Sequence, residues 1–134
     1  MAAAAAELTA GGMGDASAGA ALLGAGDADE DVLDDESARG RIEAMLTEAY
    51  VQGSTGLAAD IVGYSLHAWD FAPSEVTAKV LLLYGREDAT LRTAHGRWWQ
   101  QRLPNARLEV CPGRGHLLVV PMWARVLSHL YPRR

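Results

Sequence analysis

A single cysteine, Cys111, is all the thiol chemistry in this chain of 134 residues. No intrachain disulfide can form, so the sequence is compatible with a reducing compartment. Long apolar runs are missing too, and nothing approaches the roughly 20 consecutive residues that a membrane-spanning helix requires. Basic residues are few: 12 Lys and Arg against 17 Asp and Glu give a formal net charge of -5. That balance offers no cationic footprint for nucleic acid. The opening Met1-Ala2-Ala3-Ala4-Ala5-Ala6-Glu7 has no basic region, and Glu7 interrupts the alanines before a secretory core is established. A cytoplasmic protein is expected. No group of His, Cys and carboxylates has metal-site spacing, and the early glycines do not complete G-x-G-x-x-G after a strand. No cofactor is expected.

The length suits one small domain, burying about two-thirds of the surface its unfolded chain exposes. Residues 1–26 form an Ala/Gly-rich tail of doubtful secondary structure. Acids then crowd together: Asp27, Asp29, Glu30, Asp31, Asp34, Asp35 and Glu36 are opposed only by Arg39. Carboxylates favour helix N-termini, so this stretch reads as a solvated loop and helix start. A calcium loop would need alternating ligands around a central glycine and a closing glutamate, which are absent.

From Arg39, the residues Ile42, Met45, Leu46, Ala49 and Tyr50 recur at the spacing of one apolar helix face, with Gly53 as a stop. A second helix follows Ser54, with Leu57, Ile61, Tyr64 and Ala68 on one side and Pro73 beyond it. Val80-Leu81-Leu82-Leu83-Tyr84, closed by Gly85, is short and unbroken, as expected of a strand covered on both faces in a parallel sheet. A helix is expected over about 91–102, and Ala106 to Cys111 alternates like a second strand. Strand, helix, strand makes one βαβ unit. The last helix, carrying Trp123, Val126, Leu127, Leu130 and Tyr131, is expected to pack back on the sheet, with His129 on its outer side.

Parallel strands send their outgoing loops to the same edge, where open α/β sheets place their sites. Asp88 lies just beyond the first strand and His116 just beyond the second, with Gly113 and Gly115 giving the latter loop freedom to turn sharply. An Asp carboxylate that accepts the imidazole Nδ1 proton fixes the tautomer and steadies the imidazolium. Spacing alone does not separate such a pair from a surface carboxylate and an unrelated imidazole.

The stretch Lys79-Val80-Leu81-Leu82-Leu83-Tyr84-Gly85-Arg86-Glu87-Asp88 resembles the seventh strand and acid loop of the α/β-hydrolase family. Leu103-Pro104-Asn105-Ala106-Arg107-Leu108 resembles that family's entry to the eighth strand, and Gly115-His116 its catalytic histidine. The resemblance runs from about Asp27 to the C-terminus, with residues 27–75 similar to a cap-like helical segment and 76–134 to the C-terminal βαβ-α portion of the core. It implies a partial α/β-hydrolase fold, the terminal βαβ of a parallel sheet flanked by helices. It also implies Asp88 as triad acid, His116 as general base, and hydrolysis of an ester or similar bond. One departure is Thr90-Leu91, where many members have Val-Pro. A larger one is that the early strands, the oxyanion loop and the G-x-S-x-G elbow have no counterpart.

Val62-Gly63-Tyr64-Ser65-Leu66-His67 comes close to that elbow, but an elbow needs a buried strand before the serine and a small residue where His67 stands. Ser65 is therefore expected late in a helix. Cys111 reads as an apolar filler, His95 as a polar residue of the crossover helix, and Trp98 and Trp99 as cover for the sheet. The expected chain supplies acid and base without a nucleophile and is inactive alone. Its partners would be an ester-like small molecule, once completed, and a protein partner or second copy covering open sheet edges. The alternative is a non-catalytic accessory module or a truncated remnant.

Overall fold

The computed structural model describes residues 23–53, 55–66 and 70–131. The expectations placed on the tail through residue 22, and on Ser54, His67, Ala68, Trp69 and Pro132, lie outside them. In chain order the elements are a 3-10 turn at Asp27–Asp29, α1 (Glu30–Asp34), α2 (Glu36–Ala49), α3 (Thr55–Leu66), a 3-10 turn at Pro73–Glu75, β1 (Val80–Gly85), α4 (Thr93–Gln100), β2 (Ala106–Cys111) and α5 (Trp123–Leu130). The fold is mixed α/β. Two compact units are present, one built on residues 36–70 and the other on residues 24–35 together with 71–131.

In the first unit, the apolar spacing from Ile42 produces α2, with Ile42 and Leu46 half-buried while Met45 is 52% exposed. The chain leaves this helix through Gly53, which adopts a φ of +83° and donates its N–H to the Tyr50 carbonyl at 2.8 Å. Helix α3 runs unbroken through Ser65.

The second unit holds the sheet. Strands β1 and β2 pair in parallel, with Val80 opposite Ala106 and Gly85 opposite Cys111. Helix α4 makes the crossover and lies tight against one face: a Cβ added at Gly96 would stand 2.7 Å from Leu108 Cδ1 and 2.8 Å from the Tyr84 ring. Only a residue without a side chain permits that approach. The helix begins at Thr93, later than its pattern predicts, because Arg92 is extended (φ -64°, ψ 150°) and the N–H groups of Thr90 and Leu91 are held by Asp88.

The opposite face is covered less completely than the sequence suggests. Side chains Val80 to Tyr84 are all half-buried, and between β1 and α5 lies a groove of about 490 Å³, lined by Leu81, Leu83, Met122, Val126 and Leu130. Helix α5 is tied to the sheet by charge: Arg125 grips Glu109 with Nε to Oε2 at 2.8 Å and Nη2 to Oε1 at 2.5 Å. That hydrogen-bonded guanidinium holds the Glu109 carboxyl below its ordinary value. The helix thus returns to the sheet as its spacing predicts, while Leu127 and Leu130 remain 47% and 71% exposed. His129, expected on the outer side, is half-buried, with Nε2 3.4 Å from the Lys79 carbonyl oxygen.

Gly85 ends β1 where the loop after β2 crosses it, and an added Cβ would run into the carbonyl oxygens of Arg114 and Gly115. Backbone cannot yield as a flexible side chain can. Gly85→Ala should therefore cost about 1–3 kcal/mol by overpacking, read as a lower urea midpoint at unchanged m-value. An unchanged midpoint would contradict this account of the crossing.

Candidate active site

Both strands deliver their outgoing loops to one edge, and backbone hydrogen bonds stitch the loops together. The Arg86 N–H donates to the Cys111 carbonyl at 3.0 Å and the Glu87 N–H to the Arg114 carbonyl at 3.1 Å. The Arg114 N–H in turn donates to Glu87 Oε2 at 3.2 Å. Gly113, at a φ of +67°, supplies the left-handed residue that reverses the second loop. Gly115 has another role than the turning freedom expected of it. Its φ is not positive, and an added Cβ would overlap the carboxylate of Asp29.

Asp88 and His116 meet on this edge, with Asp88 Oδ2 2.9 Å from His116 Nδ1. The Asp88 side chain is 3% exposed and that of His116 23%. Asp88 Oδ1 accepts the N–H groups of Thr90 and Leu91, both at 2.8 Å, an Asx-type turn that aims the other oxygen at the imidazole. Burial pushes the Asp88 carboxyl up. The Leu91 N–H, the His116 ring and the Thr90 N–H together outweigh it and hold the group below its ordinary value. An ionised Asp88 accepts a proton carried on Nδ1, which leaves Nε2 as the basic nitrogen. Among the described residues, Nε2 has no hydrogen-bond partner.

Asp27, Glu30, Asp31, Asp34, Asp35 and Glu36 are exposed, as a solvated loop and helix start requires, but Asp29 departs from that reading. It is 1% exposed, and its carboxylate accepts three N–H groups: Gly26 at 3.0 Å and His116 at 2.9 Å on Oδ2, and Leu117 at 2.8 Å on Oδ1. Three donors replace the water that burial removes, which is what lets a carboxylate sit inside. Asp31 supports the same attachment through an ion pair with Arg114. Val32, 5% exposed, adds an apolar anchor. The segment also brings Gly24 against the site, where an added Cβ would stand 3.0 Å from Thr90 Oγ1 and 3.3 Å from His116 Cδ2. Only the spacing of Gly26 and Asp29, three apart as in a helix cap, hints at any of this in the sequence. The partner loop is 87 residues away.

The other singled-out residues have settings of their own. Ser65 occupies the backbone of α3, with no strand before it among the described residues, so it does not sit on an elbow. Burial pushes the Cys111 thiol up, which favours its protonated form. His95 is exposed on α4. Trp98 is 40% exposed beneath the Arg102 guanidinium, 3.9 Å from its ring centroid, whereas Trp99 is half-buried. Among the described residues, no three His, Cys or carboxylate groups gather as metal ligands would.

The lowered Asp88 carboxyl has a consequence for stability against pH. A carboxylate favoured in the folded state stabilises above its unfolded value, about 3.9, and that contribution fades as pH falls through the lower folded value. Urea midpoints of wild type and Asp88→Asn should therefore differ most at pH 6–7 and converge below about pH 4. A gap of constant size from pH 7 to pH 3 would remove the pairing from the stability of the fold. No family model, curated protein or solved structure matches the chain.

Proposed function

We propose that this chain provides the acid and the base of a nucleophile–His–acid triad of the α/β-hydrolase type, with the attacking hydroxyl supplied by polypeptide outside these 134 residues. The observation that carries the proposal is the 2.9 Å contact between a buried Asp88 and His116 at the outgoing edge of a parallel strand pair. The reaction is hydrolysis of an ester or similar bond in a small molecule. In the first half, His116 Nε2 takes the hydroxyl proton as that oxygen attacks the substrate carbonyl carbon, and the same proton then goes to the departing alcohol. Water repeats the sequence on the acyl-enzyme, returning the hydroxyl and releasing the acid. Asp88 stays ionised throughout and offsets the charge on the imidazolium. No step requires a cofactor.

A protein partner, or a second copy, is part of the proposal. A two-stranded parallel sheet has two open edges, each a row of unpaired backbone groups, and Leu130 and Tyr131 beside it are 71% and 84% exposed. Parallel sheets are ordinarily covered on both faces. A cytoplasmic setting fits the lone buried thiol, and among the described residues no helix is long and apolar enough to cross a membrane.

Loss of a triad serine typically lowers turnover by around 10⁶, so the isolated chain is expected to hydrolyse p-nitrophenyl esters at or near the buffer rate. Turnover by the isolated chain that Ser65→Ala abolishes would place the nucleophile in α3 and overturn the proposal. Co-expression with a neighbouring reading frame that encodes early strands and G-x-S-x-G should restore hydrolysis, and His116→Ala should abolish it again. If His116→Ala has no effect on the restored activity, the base lies elsewhere.

A further inference from the structure

We infer that Asp29 is a positioning residue for His116, fixing the backbone from which the imidazole reaches Asp88. The inference rests on the hydrolase reading only for its catalytic meaning. The loop from Pro112 to His116 carries two glycines and is held to the Asp88 side chain by one hydrogen bond, that of the ring itself. Glycine backbones have more freedom to lose than any other, so a loop of this composition does not hold a ring in register unaided. Glu87 and Asp31 hold the loop at Arg114, and Asp29 holds it at His116 itself. Its two oxygens take the consecutive N–H groups of His116 and Leu117, which fixes the peptide plane between them and with it the direction of the His116 Cα–Cβ bond. Gly115 lacks a Cβ where one would collide with this carboxylate, so the glycine and the acid are spatially matched. The Gly26 N–H holds the carboxylate itself in place from behind.

The arrangement requires two acceptor oxygens. Three N–H donors converge on two oxygens, one on Oδ1 and two on Oδ2. An amide in the same place keeps one oxygen and presents its own N–H₂ to a donor, so Asn is not a conservative replacement here. It loses at least one of the bonds to the 116–117 peptide or to Gly26.

The test observes the imidazole directly and needs no activity. In the full chain labelled with ¹⁵N-histidine, the Nδ1 proton shared between His116 and Asp88 should give a slowly exchanging downfield NMR signal, assigned by its loss in His116→Ala. Asp29→Asn and Asp29→Ala should broaden that signal or speed its exchange at least tenfold. Leu103→Ala, which destabilises the unit through an apolar contact remote from the rim, should leave it intact in the folded fraction. Asp29→Glu, which keeps the charge, should recover part of the protection. A wild-type signal in folded Asp29→Asn would overturn the inference, and so would an equal effect from Leu103→Ala.

Should the Asp29 variants not fold, the wild-type chain decides. The backbone amides of His116 and Leu117 should exchange at least a hundredfold more slowly than that of Gly113 in the same loop, and rates like that of Gly113 would overturn the assignment. Failure of any co-expressed polypeptide to restore hydrolysis would remove the hydrolase reading while leaving these NMR results standing. Restored hydrolysis with an undisturbed Nδ1 proton in Asp29→Asn would remove this inference and leave that reading in place.

Discussion

In-register parallel pairing of Val80–Gly85 with Ala106–Cys111 is the constraint from which the rim follows. Antiparallel strands would have sent their exits to opposite ends. Here both exits leave one edge, from strands that in any sheet lie about 4.8 Å apart, so two short loops suffice to bring a carboxylate and an imidazole into contact. The pairing also dictates a glycine. The second loop must cross the end of the first strand to bring His116 over Asp88, and at Gly85 the carbonyls of Arg114 and Gly115 occupy the space where a side chain would begin.

Two buried carboxylates then divide the work, each satisfied by three donors. Asp88 takes two backbone N–H groups from its own loop and one imidazole nitrogen, so its fixed side is local and its working side reaches across to the other loop. Asp29 takes backbone donors only, two of them from the loop that carries the imidazole. One acid therefore orients a ring and the other orients the backbone beneath it. Burying either without its donors would cost several kcal/mol, so each network is either complete or strongly unfavourable.

The sequence discloses the local half of this arrangement and conceals the non-local half. Apolar runs, the closing Gly85 and the alternation of 106–111 identify both strands, because periodicity and turn residues act within a few positions. Asp88 and His116 follow from where those strands end. The spacing predicts a start of α4 near Leu91, too early, because apolar spacing cannot show that a side chain three residues upstream has claimed the N–H groups of Thr90 and Leu91. Helix α5 is expected against the sheet because its apolar residues are correctly spaced, and it does return there. What that spacing omits is the Arg125–Glu109 clamp, a contact between residues 16 apart. Asp29 is the clearest case. Among the acids between Asp27 and Glu36 it is the one fully buried, and its own neighbourhood marks it only by the cap spacing from Gly26.

All the contacts that set the acid–base pair lie within residues 24–35 and 71–131. On the proposed hydrolase reading, ring direction and the lowered carboxyl of Asp88 would therefore be set before any nucleophile or substrate arrived. A catalytic contribution of this kind is worth most when the dipoles are already in place, because none of the stabilisation is then spent on reorganising them during reaction. A polypeptide that completed the site would need to bring only a hydroxyl within reach of Nε2 and donors for the developing oxyanion. Preorganisation of one half without the other is thus physically coherent for the proposed triad, whose acid and base are in contact and whose elbow has no counterpart among the described residues.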